Sequence, residues 1–344
     1  MGNVAQGPDE VDMADIPPSQ TVLLLRAPRQ GYHLVDEYPV PRLAHESEIL
    51  VRNRAIGLNP IDWKAPDFGF GLPQLPYIAG RELAGVVAQV SPGNTKWKVG
   101  DRVAVISTDY RDPRKAAYQQ FVVAQGHTVV RLPAHISYEQ GSAFGVAFAA
   151  ASLALGVSLG ADFSAVLDGP DLYRAVRGLA PGTLPPDVAA ECLDGLEPDE
   201  RPGAGDWLGG CKWGRFGDFC KPRDPAGEAR RAPGGRGRGQ RQTRPLAVTP
   251  SRPKRRRGHL VGLAGLPKGY EGDDVLLHTL PIKLFHEVEA IGDALVAWAA
   301  NLLDKRLLVP PDIVDIEYGL NNVNAGLDRM RNGEISGGKL VVKV

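Results

Sequence analysis

Four short stretches hold the residues whose types and spacing could do chemistry. They are Asn59-Pro60-Ile61-Asp62-Trp63-Lys64, Gly80-Arg81-Glu82-Leu83-Ala84-Gly85, Lys98-Val99-Gly100-Asp101-Arg102-Val103 and Gly337-Gly338-Lys339-Leu340-Val341-Val342. Each also has a plain conformational reading. Gly100-Asp101 is a tight turn, Gly80 and Gly85 are places where a strand bends or another backbone approaches, and a terminal Gly-Lys is a turn before an edge strand. Metal chemistry has little to draw on. Cys192, Cys211 and Cys220 are too few and too unevenly spaced for a disulfide framework or a four-ligand zinc site, and such sparse cysteine fits a reducing, cytoplasmic setting.

The elements that must position these stretches begin as short strands. Thr21–Leu25, Glu48–Arg54, Gly85–Val90, Arg102–Ile106 and Tyr118–Val123 are rich in Val and Ile and separated by Pro, Gly, Asn and Asp, which predicts a barrel or sandwich. From Ser137 to Leu155 the character turns helical, with Ser137 as N-cap and Gln140 three residues on, a capping-box spacing. Gly156 to Gly205 reads as a connector with helical pieces at Asp168–Leu179 and Pro186–Leu193. Later come a buried strand at His259–Leu266, a short strand at Ile282–Phe285, helices at Ala290–Leu303 and Asn321–Asn332, and a closing strand at Leu340–Val344. Gln140 to Ala161 carries no charge over 22 residues, enough to span a bilayer, but its Ala, Gly and Ser content and lack of flanking cations favour a buried helix. The acidic Asp9, Glu10, Asp12 and Asp15 argue against a signal peptide.

The 344 residues balance 40 basic against 40 acidic side chains, and that neutrality hides a split. Lys221–Arg257 carries 13 basic and 2 acidic residues, no aromatic residue and 11 Gly or Pro, so the rest of the chain is net acidic by 11. A segment so poor in apolar groups cannot offset the entropy of ordering, and residues 211–257 are expected to be disordered. The remaining length suits about two domains.

Taken in order, the four stretches resemble the medium-chain dehydrogenase/reductase superfamily. Leu58-Asn59-Pro60-Ile61-Asp62-Trp63-Lys64, Gly145-Val146-Ala147-Phe148 and Asn332-Gly333-Glu334-Ile335-Ser336-Gly337-Gly338-Lys339 resemble its zinc-independent quinone and enoyl reductases. Within that branch they are most similar to fungal zinc-binding-oxidoreductase-like proteins and trans-acting enoyl reductases of polyketide pathways. The resemblance implies an α/β fold: a GroES-like β-barrel from residues 21–155 and 310–344, after a disordered 1–20, joined to a Rossmann-like doubly wound domain at 156–309. It implies reduction of an activated C=C bond in an enoyl thioester, enone or quinone, with hydride from NADP(H). The partner would be a small-molecule substrate such as a polyketide-type enoyl thioester, with no nucleic acid and no membrane. Dimers are common in the superfamily, so it also implies a homodimer.

By the same resemblance, Asn59 would hydrogen-bond near the nicotinamide ribose or the substrate carbonyl, Lys64 would reach the cofactor's ribose or phosphate, and Gly209, Gly210 and Lys339 would join the cofactor site. No residue is identified as the catalytic proton donor; nothing distinguishes Tyr110 or Tyr118 from barrel residues. Where related enoyl reductases carry a Thr, this chain reads Phe148-Ala149-Ala150-Ala151, with Ser152 the nearest hydroxyl. No metal is expected. A catalytic zinc needs three protein ligands; the zinc-dependent branch takes them from positions that here read Asn59-Pro60 and Arg81-Glu82, and Ser107–Tyr118 has no four-cysteine lobe.

The resemblance breaks in the dinucleotide domain. Gly205-Asp206-Trp207-Leu208-Gly209-Gly210 starts as a phosphate-binding turn should, yet lacks the apolar strand before it and the helix after it. Only 54 residues separate Asp206 from His259, 37 of them in the basic tract, whereas one βαβ unit needs roughly 30. The domain is therefore expected to be truncated. Residues 211–257 are either a basic insertion or the product of a retained intron or shifted frame, which Cys211-Lys212-Trp213 favours because TGT-AAG-TGG contains GTAAGT. The alternative function is then a defective reductase-like protein that binds no cofactor.

Overall fold

The computed structural model describes residues 16–109, 111–180, 182–186, 188–189, 258–262 and 275–344. The chain divides into two compact units, 1–149 with 283–344, and 150–282. The expected boundaries at 155/156 and 309/310 therefore differ from the observed division, because 283–309 packs with the first unit. The expectations for 211–257, Gly209, Gly210 and Tyr110 lie outside the described residues.

The first unit holds two sheets. β1 (Ser19–Leu25) pairs antiparallel with β2 (His33–Pro39) and with β4 (Tyr77–Ile78). The larger sheet is organised around β3 (Glu48–Gly57), which pairs antiparallel with three strands: β5 (Glu82–Val90), β7 (Phe121–Gln125) and, at its far end, β12 (Lys339–Lys343). β6 (Arg102–Ile106) and β8 (Val129–Arg131) extend one side, and β11 (Ile313–Tyr318) lies parallel to β12 on the other. An isolated bridge from Val22 to Gln119 ties the two sheets. Between them Val22, Leu25, Ile56, Leu83, Val122 and Leu340 are fully buried, each contributing roughly 1.5–3 kcal/mol.

Glycines permit the closest approaches in this unit. A Cβ on Gly85 would lie 2.0 Å from the Arg52 carbonyl oxygen, so only glycine lets β5 cross β3 there. Gly80, at φ +93°, makes room for the Tyr118 ring.

The helix α2 (Tyr138–Leu153) starts with the expected capping box. Gln140 N–H donates to Ser137 Oγ at 3.2 Å and Ser137 N–H to Gln140 Oε1 at 3.0 Å. With its π-helical continuation to Ser158 it is long and apolar enough to cross a membrane, and 72% of its apolar 18-residue window is buried inside the protein. α1 (Pro60–Phe68) was not legible from the pattern. The expected strand at Ile282–Phe285 is instead a short helix, α4 (Leu284–Glu287), because a four-residue apolar run has no period to separate strand from helix. α5 (Glu289–Asp304) and α6 (Val323–Arg331) complete the unit.

In the second unit α3 (Leu172–Arg177) is capped by Asp171, whose carboxylate accepts from Arg174 N–H at 3.1 Å. β9 (Gly258–Gly262) and β10 (Val275–Thr279) pair in parallel, the pairing that doubly wound sheets are built from.

Candidate functional site

At the end of β3 the chain turns through Leu58 into α1. Asn59 is the N-cap in extended conformation, φ −122° and ψ 149°, and Pro60 at N1 lacks the N–H that would go unused there. The Asp62 carboxylate accepts from Asn59 N–H at 2.9 Å, while Asp62 N–H donates to the Asn59 carbonyl at 2.9 Å. With Asp62 at N3 this makes a capping box, and the Asn59 side chain is turned inward.

There it joins two buried charges. Asn59 Nδ2 donates to Glu82 Oε1 at 2.9 Å and to Gly57 O at 3.3 Å, and its Oδ1 accepts from Lys339 Nζ at 2.6 Å. Lys339 Nζ also pairs directly with Glu82 Oε1, and Glu82 Oε2 accepts from Val146 N–H at 2.9 Å. Asn59, Glu82 and Lys339 are 5%, 1% and 3% exposed. The cluster thus stitches together the start of α1, of β5 and of β12 with the middle of α2. Glycine makes that reach possible: a Cβ on Gly57 would lie 2.0 Å from Ser142 O, and one on Gly145 would lie 2.6 Å from Ile106.

Of the site residues expected from sequence, Asn59 and Lys339 come together and Lys64 does not join them. Lys64 lies one turn along α1, half-buried, with its ammonium 5.6 Å from the Trp63 ring centroid. Arg331 approaches the same ring at 5.5 Å and pairs with Asp67. Lys64 has no carboxylate partner among the described residues. Ser152 is buried in α2, and Tyr118 is fully buried.

Further buried polar groups lie outside that cluster. The Asp62 carboxyl and the Tyr118 hydroxyl are buried close to one another, and Tyr32 Oη donates to the Asp62 carbonyl at 2.7 Å. Burial pushes the Asp62 carboxyl up to about 6, against the Asn59 N–H, Arg81, Tyr118 and Lys339, which pull it down. The Tyr118 and Tyr32 phenols are raised by burial and by Asp62 nearby, so both stay protonated. Across the unit, His286 Nδ1 lies 2.8 Å from Thr108 Oγ1, while its Nε2 has no hydrogen-bond partner and lies 3.8 Å from Glu287 Oε1. Burial lowers the His286 imidazole to about 4, although Asp109 and Glu287 favour its charged form. No group of three His, Cys, Asp or Glu side chains converges among the described residues.

The sequence profile of the alcohol dehydrogenase GroES-like domain matches residues 45–134. A trans-enoyl reductase of Gibberella fujikuroi is 34% identical over 146 residues, 40% of this chain and 39% of its own length. A quinone oxidoreductase of Sus scrofa is 32% identical over 118 residues, 34% of this chain and 33% of its own. The chain spans about two fifths or less of the length of the curated relatives it matches. Among solved structures, an alcohol dehydrogenase superfamily protein from Novosphingobium aromaticivorans superposes with a TM-score of 0.60 at 18% identity, covering 94% of this chain and 99% of that one. The Escherichia coli quinone oxidoreductase complexed with NADPH gives 0.55 at 17% identity, over 95% and 100%.

Proposed function

Starting from a chain that has the medium-chain dehydrogenase/reductase fold and is similar in sequence to that superfamily's enoyl and quinone reductases, we propose that this protein is an oxidoreductase that reduces an activated C=C bond with NADPH. The observation that carries the reading is the sequence similarity to trans-enoyl reductases, joined to Asn59 capping α1 and Lys64 within it at the end of a barrel strand.

The barrel residues fit a nicotinamide cofactor in donor and acceptor terms. Asn59 stands at the end of β3 beside α1, and the Lys64 ammonium has no anionic partner among the described residues. Asn59 would lie near the nicotinamide ribose, and Lys64 would donate to an oxygen of the cofactor's ribose or phosphate. When bound, the reduced nicotinamide supplies a hydride to the β-carbon; the α-carbon takes a proton from solvent or a side chain. Zinc has no part in this reading, because Glu82 already serves an ammonium, an amide and a backbone N–H. The substrate is a small molecule such as a polyketide-type enoyl thioester, the setting cytoplasmic, and the assembly a homodimer. No nucleic acid or membrane takes part.

A second reading rests on the short span of sequence similarity: a reductase-like protein that binds no cofactor. Titration with NADPH, followed by nicotinamide fluorescence, separates the two. Saturable binding at sub-millimolar cofactor, with loss of 340 nm absorbance on adding an enoyl thioester, is the expected result; no saturation supports the second reading.

A further inference from the structure

Two cations meet over one indole on α1. Lys64 Nζ lies 5.6 Å from the Trp63 ring centroid, and Arg331 Cζ, from the last turn of α6, lies 5.5 Å from it. We propose that Arg331 is a positioning residue for Lys64: by holding Asp67 it stops the carboxylate within Lys64's reach on α1 from drawing the ammonium away from a ligand. This rests on the reading above in which Lys64 serves the cofactor, and adds what keeps Lys64 available.

Residues three apart are neighbours on a helix surface, so Asp67 is placed to pair with Lys64. The other acid of α1, Asp62, stands two positions before Lys64, is 3% exposed and accepts the Asn59 N–H, so it does not compete. Lys64 nevertheless stays over Trp63. Arg331 explains this. Its Nε donates to Asp67 Oδ2 at 2.7 Å and its Nη2 to Oδ1 at 3.1 Å, a two-pronged bond that engages both carboxylate oxygens. A planar guanidinium fork matches a carboxylate better than an ammonium does, and it neutralises the charge that would attract Lys64. Asp328, three residues earlier on α6, pairs with Arg331 in turn. Trp63 gives the displaced ammonium a face to rest on, an attraction weak enough to yield to a ribose or phosphate oxygen.

The test is a variant series titrated with NADPH and followed by nicotinamide fluorescence. Arg331→Met is expected to weaken binding about threefold, the size of one surface ion pair that Lys64 must now give up. Adding Asp67→Asn is expected to restore wild-type binding, and Arg331→Lys, which keeps a cation on Asp67, to bind close to wild type. Arg331→Met with Asp328→Asn restores the same net charge without freeing Lys64, so it should stay weak. In a Lys64→Met background, Arg331→Met should cause no further loss. The proposal is overturned if Arg331→Met binds as wild type does, if Asp67→Asn does not rescue it, if Asp328→Asn rescues it equally well, or if binding falls further in the Lys64→Met background. Should Arg331→Met not fold, Arg331→Gln takes its place. A crystal structure of the Arg331→Met variant without cofactor reads the same step directly. Lys64 Nζ paired with an Asp67 carboxylate oxygen is the expected result, and Lys64 still resting over Trp63 overturns the proposal. If wild type binds no NADPH while that crystal structure shows the new pair, the proposed function fails and the hold of Arg331 on Asp67 stands.

Discussion

Around Lys339 each buried charge meets a partner, whereas the Asp62 carboxyl and the His286 imidazole are buried groups whose titration burial displaces. The first cluster sets a carboxylate against an ammonium, an amide and a backbone N–H. The second kind of site meets burial by shifting protonation: the imidazole is driven towards its neutral form, and the carboxyl towards its own. One cluster should therefore fail when a partner is removed, and the other two should respond to pH.

The largest effect is expected from Lys339→Met. It leaves Glu82 charged and buried without its counter-ion and should cost about 3–5 kcal/mol in a urea denaturation series. Replacing both members, Lys339→Met with Glu82→Gln, should recover most of that loss, because a neutral pair carries no uncompensated charge. A double variant as unstable as the single one would remove the contrast between the clusters.

Next come two pH effects of opposite sign. Asp62 titrates higher in the fold, at about 6, than its ordinary value of 3.8, so its contribution is full below about pH 4 and is lost as the pH rises through 6. His286 titrates lower in the fold, at about 4, than the ordinary 6.5, so its contribution is present above about pH 6.5 and is lost as the pH falls through 4. Between pH 4 and 6 they oppose each other. Asp62→Asn should leave a protein whose stability falls on acidification, and His286→Gln one whose stability rises, each differing from wild type by roughly 2–3 kcal/mol across the window. Chemical denaturation at four pH values reads both slopes, and parallel curves for the three proteins would sink the assignment.

A smaller change tests the helix that supplies the Val146 N–H to Glu82. Ser137→Ala removes one half of the α2 capping box and should cost about 1 kcal/mol by thermal melting, without altering either pH slope.

Much of the fold was legible because strands buried on one or both faces carry a run of Val and Ile, as in β3, β5 and β6. β2 and β11 were missed for the converse reason: His33–Pro39 is mostly exposed and Ile313–Tyr318 has no buried residue, so no burial pattern marks them. α1 was not predicted because it is only nine residues long and carries Pro66 in its interior. Of the site, Asn59, Lys64 and Lys339 could be named, but Glu82 looked like a lone carboxylate. Its partners stand 23 and 257 residues away, a separation no local spacing encodes. His286 gave no sign at all, since its buried surroundings come from residues near 108 and 127.

The last strand places Lys339 280 residues after Asn59, and that spacing orders events during synthesis. While the ribosome is still making the middle of the chain, β3 and β5 can pair, but the Glu82 carboxylate has no counter-ion. The barrel must wait, with an unneutralised charge in its seam, until β12 arrives to close it. Long-range closure of this kind is slow, and a half-made seam is exposed to chaperones, proteases and other nascent chains for that whole interval.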